Sequence, residues 1–180
     1  VGKQVLGNYF PVLRDAFTQA YRQKDITGMK NSGKKMLDLI NDIDLLLSAN
    51  KNFLVGKWIN DAKAMTDIPG EKAYYEKDAR KIITVWGEKG KGLNDYGNRS
   101  IAGLMKDYYG KRWQIFIDAS IKSVEQGIPV DEKEILKKVD DFSWEWSEKQ
   151  NIYPDQPHGD AKKISRLLYQ KYAPLILNTK

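Results

Sequence analysis

The sequence predicts an all-α fold, an irregular bundle of about seven helices. Apolar residues recur at three- and four-residue steps in one segment after another, and strand-like alternation is absent throughout. Pro, Gly and Asp residues sit between these segments where helices start and stop. No fixed period recurs, which points to a bundle rather than a repeat array. A chain of 180 residues is long enough for one sizeable core, so residues 1–180 are expected to form a single domain.

Taken in order, Val5, Tyr9, Val12, Ala16 and Ala20 give the first stripe, with Pro11 expected to start or kink that helix. Residues 34–49 place Met36, Leu37, Ile40, Ile43 and Leu47 on one face, widened by Leu39, Leu45 and Leu46. So broad a stripe predicts a central helix. From 52 to 66, Leu54, Trp58, Ala62 and Met65 repeat the spacing, and Pro69 stands where a proline opens the next helix. That helix carries Tyr75, Ala79 and Ile82 towards Trp86. Ile101, Leu104, Met105 and Tyr108 predict another, continued beyond Gly110 by Trp113, Phe116, Ile117, Ile121 and Val124, with Gly110 either kinking one helix or separating two. Gly127 reads as a C-cap, and Asp131 with Glu134 as a capping-box start for the helix of Ile135, Val139, Phe142 and Trp146. Residues 151–159 form a turn-rich connection, after which Asp160 caps a last helix ending near Pro174.

Composition excludes several function classes. The net charge of +6 arises from 30 basic and 24 acidic residues interspersed along the chain. This reads as a solvated surface without the clustered basic and aromatic residues of a nucleic-acid interface, so no nucleic-acid partner is expected. No apolar run approaches the roughly 20 residues of a membrane span. There is no cysteine and only one histidine, His158. Disulfides, thiolate sites and a Cys nucleophile are excluded, and neither a metal nor another cofactor is expected. The chain opens at Val1 directly into a helical pattern without a Met, which predicts a fragment of a larger protein.

Three groups of residues invite a chemical reading. Gly28-Met29-Lys30-Asn31-Ser32-Gly33-Lys34-Lys35 nearly spells a phosphate-binding loop, but Lys35 replaces the Ser/Thr that would bind magnesium and no strand precedes it. A flexible basic connection between helices is expected instead. Asp141 with Glu145, and Asp42 with Asp44, have spacings that raise an acid/base pair, yet exposed carboxylates on amphipathic helices are the simpler reading. Asn98-Arg99-Ser100 is a formal glycosylation acceptor that falls where a helix begins, and reads as coincidence.

The aromatics say more. Trp58, Trp113, Phe116, Phe142 and Trp146 lie on apolar stripes and are expected in the core. Trp86 instead ends an apolar segment and is followed by Gly87, Gly90 and Gly92. These glycines cannot prolong a helix cheaply, so a loop over 86–96 can bring Trp86, Leu93 and Tyr96 to one end of the bundle, either as a ligand surface or as cover for a core edge.

Several collinear runs carry a resemblance. They are Phe53-Leu54-Val55-Gly56-Lys57-Trp58; Tyr75-Glu76-Lys77-Asp78-Ala79-Arg80 leading to Ile83-Thr84-Val85-Trp86-Gly87; Asp95-Tyr96-Gly97-Asn98-Arg99; Ala102-Gly103-Leu104; and Asp107-Tyr108-Tyr109 with Arg112-Trp113. Gln126-Gly127-Ile128-Pro129, Tyr153-Pro154-Asp155-Gln156-Pro157-His158-Gly159-Asp160 and Lys171-Tyr172-Ala173-Pro174 extend it. From about residue 50 onward the chain resembles the C-terminal domain of the α-N-acetylglucosaminidases of glycoside hydrolase family 89. The resemblance implies a retaining exo-glycosidase that removes terminal α-linked N-acetylglucosamine from glycans. Its two catalytic carboxylates would lie in a barrel domain upstream, with none in this chain. The helical domain would pack on that barrel and line the substrate pocket with Trp86, Leu93 and Tyr96. The same resemblance implies an exported protein if bacterial and a lysosomal one if animal, and the Lys-rich, Cys-free composition favours the bacterial kind. The competing expectation is a stand-alone helical module that binds an acidic glycan or protein partner through its basic surface.

Overall fold

A computed structural model describes residues 1–89 and 99–178. Among them seven α-helices follow one another: α1 Gly2–Arg22, α2 Ile26–Ser48, α3 Val55–Lys63, α4 Pro69–Ile82, α5 Lys111–Gln126, α6 Glu132–Glu148 and α7 Ala161–Leu177. The all-α expectation holds, the only strand-like pairing among these residues being an isolated parallel bridge between Leu54 and Ala102. One apolar cluster draws residues from α1, α2, α3, α5, α6 and α7. Its centre is α2, whose Met29, Met36, Leu39, Ile40 and Ile43 are all buried, as the broad stripe predicts.

Local chemistry sets the helix ends. Asp25, Asp131 and Asp160 open α2, α6 and α7, each accepting backbone N–H groups of the first turn. Gly127 closes α5 at φ +65°, with Gly127 and Ile128 N–H returning to the carbonyls of Val124 and Ser123.

Several boundaries and faces differ from expectation. In α1 the buried line is Leu6, Tyr9, Leu13, Phe17 and Ala20, while Val5, Val12 and Ala16 face outward. Two apolar lines run side by side on this helix, and the one with the larger side chains takes the core. Pro11 lies inside α1, nine residues from its start, so it does not open the helix. The near phosphate-loop is no flexible connection, because α2 begins at Ile26 and runs through it. There the Ser32 hydroxyl donates to the Gly28 carbonyl, and a Cβ at Gly33 would stand 2.8 Å from the Ile117 side chain. Its glycine serves helix contact.

On α3 the buried positions are Val55, Gly56 and Ile59, not Trp58 and Met65. Trp58 stays 42% exposed because its Nε1–H donates to the Ala79 carbonyl, laying the indole across α4 instead of into the core. Met65 lies beyond the helix end and is exposed, and Phe116 is also partly exposed beside Trp113. Ile82 faces solvent while Ile83 and Val85 are buried in its place. Gly110 does not separate two helices: a π-helical turn, Met105–Gly110, runs directly into α5. The wider turn lets the consecutive Tyr108 and Tyr109 both be buried, ring centroids 5.1 Å apart. Helix α7 continues past Pro174 to Leu177.

Candidate functional site

The C-terminal end of α4 is where the chain departs from ordinary helix packing. Ile83, Thr84 and Val85 are almost wholly buried, and the next residue, Trp86, is 44% exposed. The backbone turns sharply there: Thr84 and Trp86 N–H both donate to the Lys81 carbonyl, and Trp86 adopts φ +40°. A bulky residue in the left-handed region is sterically disfavoured and persists only where its surroundings enforce it.

A buried charge cluster occupies the last two turns of α4. Arg80 has no exposed surface, and its Nε and Nη2 donate to Glu76 Oε1 at 3.1 and 2.8 Å. Nη2 also donates to the Asn151 carbonyl at 2.8 Å. The second Glu76 oxygen accepts from Lys63 Nζ of α3 at 2.9 Å. The guanidinium lies over the rings of Trp146 and Tyr153, 4.9 and 5.4 Å from their centroids, and the indole Nε1–H of Trp146 donates to the Tyr153 hydroxyl. Among the described residues Arg80 Nη1 has no hydrogen-bond partner, and the ring faces help offset its burial. The Glu76–Arg80 pair therefore ties α3, α4, α6 and the 151–153 stretch together on the helix that ends before Trp86. The Thr84 hydroxyl donates to the Arg80 carbonyl at 2.6 Å and joins the turn to that anchor.

The described residues on either side of 90–98 are fixed separately. On the Trp86 side, Lys89 lies 3.4 Å from Asp141 of α6. On the other side, Arg99 N–H donates to the Tyr109 hydroxyl at 3.1 Å. The π-turn carrying Tyr109 is held by Asp44 of α2, whose Oδ1 accepts from Gly103 N–H at 2.6 Å and Lys106 N–H at 3.1 Å. Burial pushes the Asp44 carboxyl above its usual range against those two N–H groups. Gly103 itself sits at φ +88°.

Of the three residues expected to line a pocket, the structure places Trp86 on this corner, while Leu93 and Tyr96 lie outside the described residues. So does Asn98 of the formal glycosylation acceptor. The carboxylate pairs are structural. Asp141 is held below its usual range chiefly by its hydrogen bond from Lys137, and Glu145 pairs with Lys149. Asp42 accepts from Lys171 Nζ and from the Tyr172 hydroxyl, each at 2.6 Å. Among the described residues no three Asp, Glu or His side chains gather as metal ligands, and no helix is long and apolar enough to cross a membrane. Glu76 and Arg80 went unnoticed in the sequence as a site-supporting pair, although their i,i+4 order, acid before base, is the favoured helical spacing.

Comparison with known proteins bears on this corner. Residues 1–171 match the alpha-N-acetylglucosaminidase (NAGLU) C-terminal domain family. Human alpha-N-acetylglucosaminidase is 33% identical over 156 residues, covering 86% of this chain and 21% of that enzyme. A family 89 glycoside hydrolase from Clostridium perfringens, in complex with 2-acetamido-1,2-dideoxynojirmycin, superposes with a TM-score of 0.85 over 99% of this chain and 21% of that one, at 27% identity. The Clostridium perfringens enzyme in complex with its substrate GlcNAc-alpha-1,4-galactose matches at a TM-score of 0.82 and 27% identity, over 94% of this chain and 20% of that one. The chain thus spans about a fifth of the length of these relatives.

Proposed function

Because the chain belongs to the alpha-N-acetylglucosaminidase C-terminal domain family, we propose that it is the non-catalytic helical domain of a glycosidase that removes terminal α-linked N-acetylglucosamine from glycans. In this reading it packs on a catalytic barrel of the same polypeptide, and Trp86, Leu93 and Tyr96 complete the wall of the substrate pocket. The supporting observation is the Trp86 corner. A half-exposed indole stands in a disfavoured backbone conformation directly beyond a fully buried ion pair, the arrangement expected of a rigid wall. An indole face suits the apolar C–H face of a sugar ring, and a wall that excludes water strengthens electrostatics at carboxylates contributed by another domain.

The test is Trp86→Ala in the full-length enzyme. Its kcat/KM towards an α-N-acetylglucosaminide is expected to fall at least about tenfold, roughly 1.4 kcal/mol of transition-state stabilisation, with the thermal transition unchanged. Wild-type turnover would remove Trp86 from the pocket. The 180-residue chain alone is expected to be inactive.

A further inference from the structure

Tyr108 and Tyr109 are consecutive in the π-helical turn Met105–Gly110, and they serve different neighbours. Tyr108 turns to α6, its ring 5.4 Å from that of Trp146 and 6.2 Å from that of Phe142. Tyr109 is buried edge-on against Tyr108, and its hydroxyl accepts from Arg99 N–H at 3.1 Å. A side chain on a regular helix covers the residues three and four positions before it. Tyr109 instead reaches ten positions back, which requires the preceding segment to fold over the turn. The π geometry, frequent at functional sites, lets one tyrosine face the core while the next is aimed at that segment.

The segment entering the turn is tied at successive points. Ala102 N–H donates to the Phe53 carbonyl at 2.7 Å, and the Ala102 carbonyl accepts from Val55 N–H at 3.1 Å. Gly103 N–H donates to Asp44 Oδ1 at 2.6 Å. The bond from Arg99 to Tyr109 is the tie nearest to residue 98 among the described residues. Arg99 follows Tyr96 by three residues, at most about 10 Å of extended chain. A phenylalanine would fill the same space as Tyr109, so the hydroxyl is the distinguishing group, and a buried hydroxyl is costly unless it is bonded. Because it bonds backbone rather than a side chain, it fixes the course of the chain whatever residue stands at 99.

Resting on the reading of Tyr96 as a wall of the substrate pocket, we propose that Tyr109 is a positioning residue of the glycosidase site. Through Arg99 N–H its hydroxyl sets the course of the chain that carries Tyr96. The Trp86 side has its own anchor in Glu76 and Arg80, so the two wall residues are placed by different parts of the bundle.

The test is Tyr109→Phe in the full-length enzyme, beside Tyr172→Phe, which removes an equivalent hydroxyl from the Asp42 contact between α7 and α2. A net hydrogen bond shifts an equilibrium by about two- to tenfold. KM for an α-N-acetylglucosaminide should therefore rise about two- to tenfold in Tyr109→Phe, with kcat changed by less than about twofold. Tyr172→Phe should lose comparable thermal stability and keep wild-type KM. Hydrogen–deuterium exchange resolved to single amides should show a slow Arg99 N–H in the wild-type enzyme and a faster one in Tyr109→Phe. Wild-type KM in folded Tyr109→Phe, or an equal rise of KM in both variants, overturns the proposal. So does an Arg99 amide that exchanges at the solvent rate in the wild-type enzyme, a result that stands even where Tyr109→Phe does not fold. A wild-type enzyme without turnover overturns the enzymatic reading and this role together, whereas turnover with KM unmoved by Tyr109→Phe overturns this role alone.

Discussion

Glu76→Gln should destabilise the protein far more than an isosteric surface change, because it strips the paired carboxylate from a guanidinium that has no exposed surface. The amide keeps the shape of Glu76 and one acceptor oxygen, so little packing is lost and the effect isolates charge. Breaking a buried ion pair from one side costs about 3–5 kcal/mol. For a chain of this size that is a fall in Tm of about 6–20 °C, at about 2–4 °C per kcal/mol. Arg80→Met should cost less, about 1–3 kcal/mol, because the thioether still lies over Trp146 and the stranded carboxylate keeps Lys63. The double variant Glu76→Met/Arg80→Met replaces both charges with apolar volume and should return to within about 2 kcal/mol of wild type. Urea denaturation of these proteins and of Glu76→Met, which closes the cycle with Arg80→Met and the double variant, followed by far-UV circular dichroism, gives the coupling. A loss below about 1 kcal/mol for Glu76→Gln, or strictly additive single changes, would refute the reasoning that an uncompensated buried charge sets the cost.

Further outcomes follow from other parts of the site. Gly103→Ala forces a Cβ to 2.6 Å from Val55 Cγ1 and 2.9 Å from Tyr153 Cδ1 at φ +88°; it should cost about 2–5 kcal/mol in denaturant, against about 1–2 kcal/mol for Gly127→Ala, whose Cβ meets nothing. Asp44→Ala orphans the N–H groups of Gly103 and Lys106 and should cost about 1–3 kcal/mol by the same measurement. For pH, the folded carboxyl of Asp44 lies above its unfolded value of 3.8, so the native state binds the extra proton. The resulting stability is fully present below the unfolded pKa and is lost as pH rises through the folded one. Asp44→Asn keeps an acceptor and removes the titration, so wild-type stability minus that of Asp44→Asn should decline as pH is raised from about 3.5. A flat or rising difference would contradict the assignment.

The fold was legible wherever a residue acts through its own helix. Asp131, Asp160 and Gly127 announce helix ends because capping is local, and the width of the α2 stripe marks it as central because burial on many sides leaves few positions free for polar residues. What misled were choices decided by partners distant in sequence. Val5–Val12–Ala16 and Leu6–Leu13–Phe17 have the same helical spacing, and only packing against α2 and α5 selects the second. Trp58 reads as core by periodicity, but the Ala79 carbonyl, 21 residues away, draws its indole to the surface. The phosphate-loop likeness over 28–35 dissolves for a similar reason, since the helix started by Asp25 uses the backbone N–H groups that a phosphate would need.

At the candidate site the same division explains why Trp86 stands out in the sequence while its support does not. An aromatic followed by three glycines is a local anomaly, visible without a structure. The Arg80 anchor depends on Trp146 and the 151–153 stretch, which join it only through tertiary folding. A wall residue on a mobile helix end would surrender ordering entropy each time a ligand bound. For the proposed wall that cost would be met during folding, by an ion pair buried among α3, α4 and α6 and by a turn whose two N–H groups share the Lys81 carbonyl. It follows that Glu76→Gln in the full-length enzyme should raise KM more than it lowers kcat, even under conditions where the domain stays folded. The catalytic groups of the proposed barrel remain in place, and what loosens is the surface that orients the sugar before it reacts. A variant that loses stability yet retains wild-type KM would separate the ion pair from the wall and leave it a purely structural element.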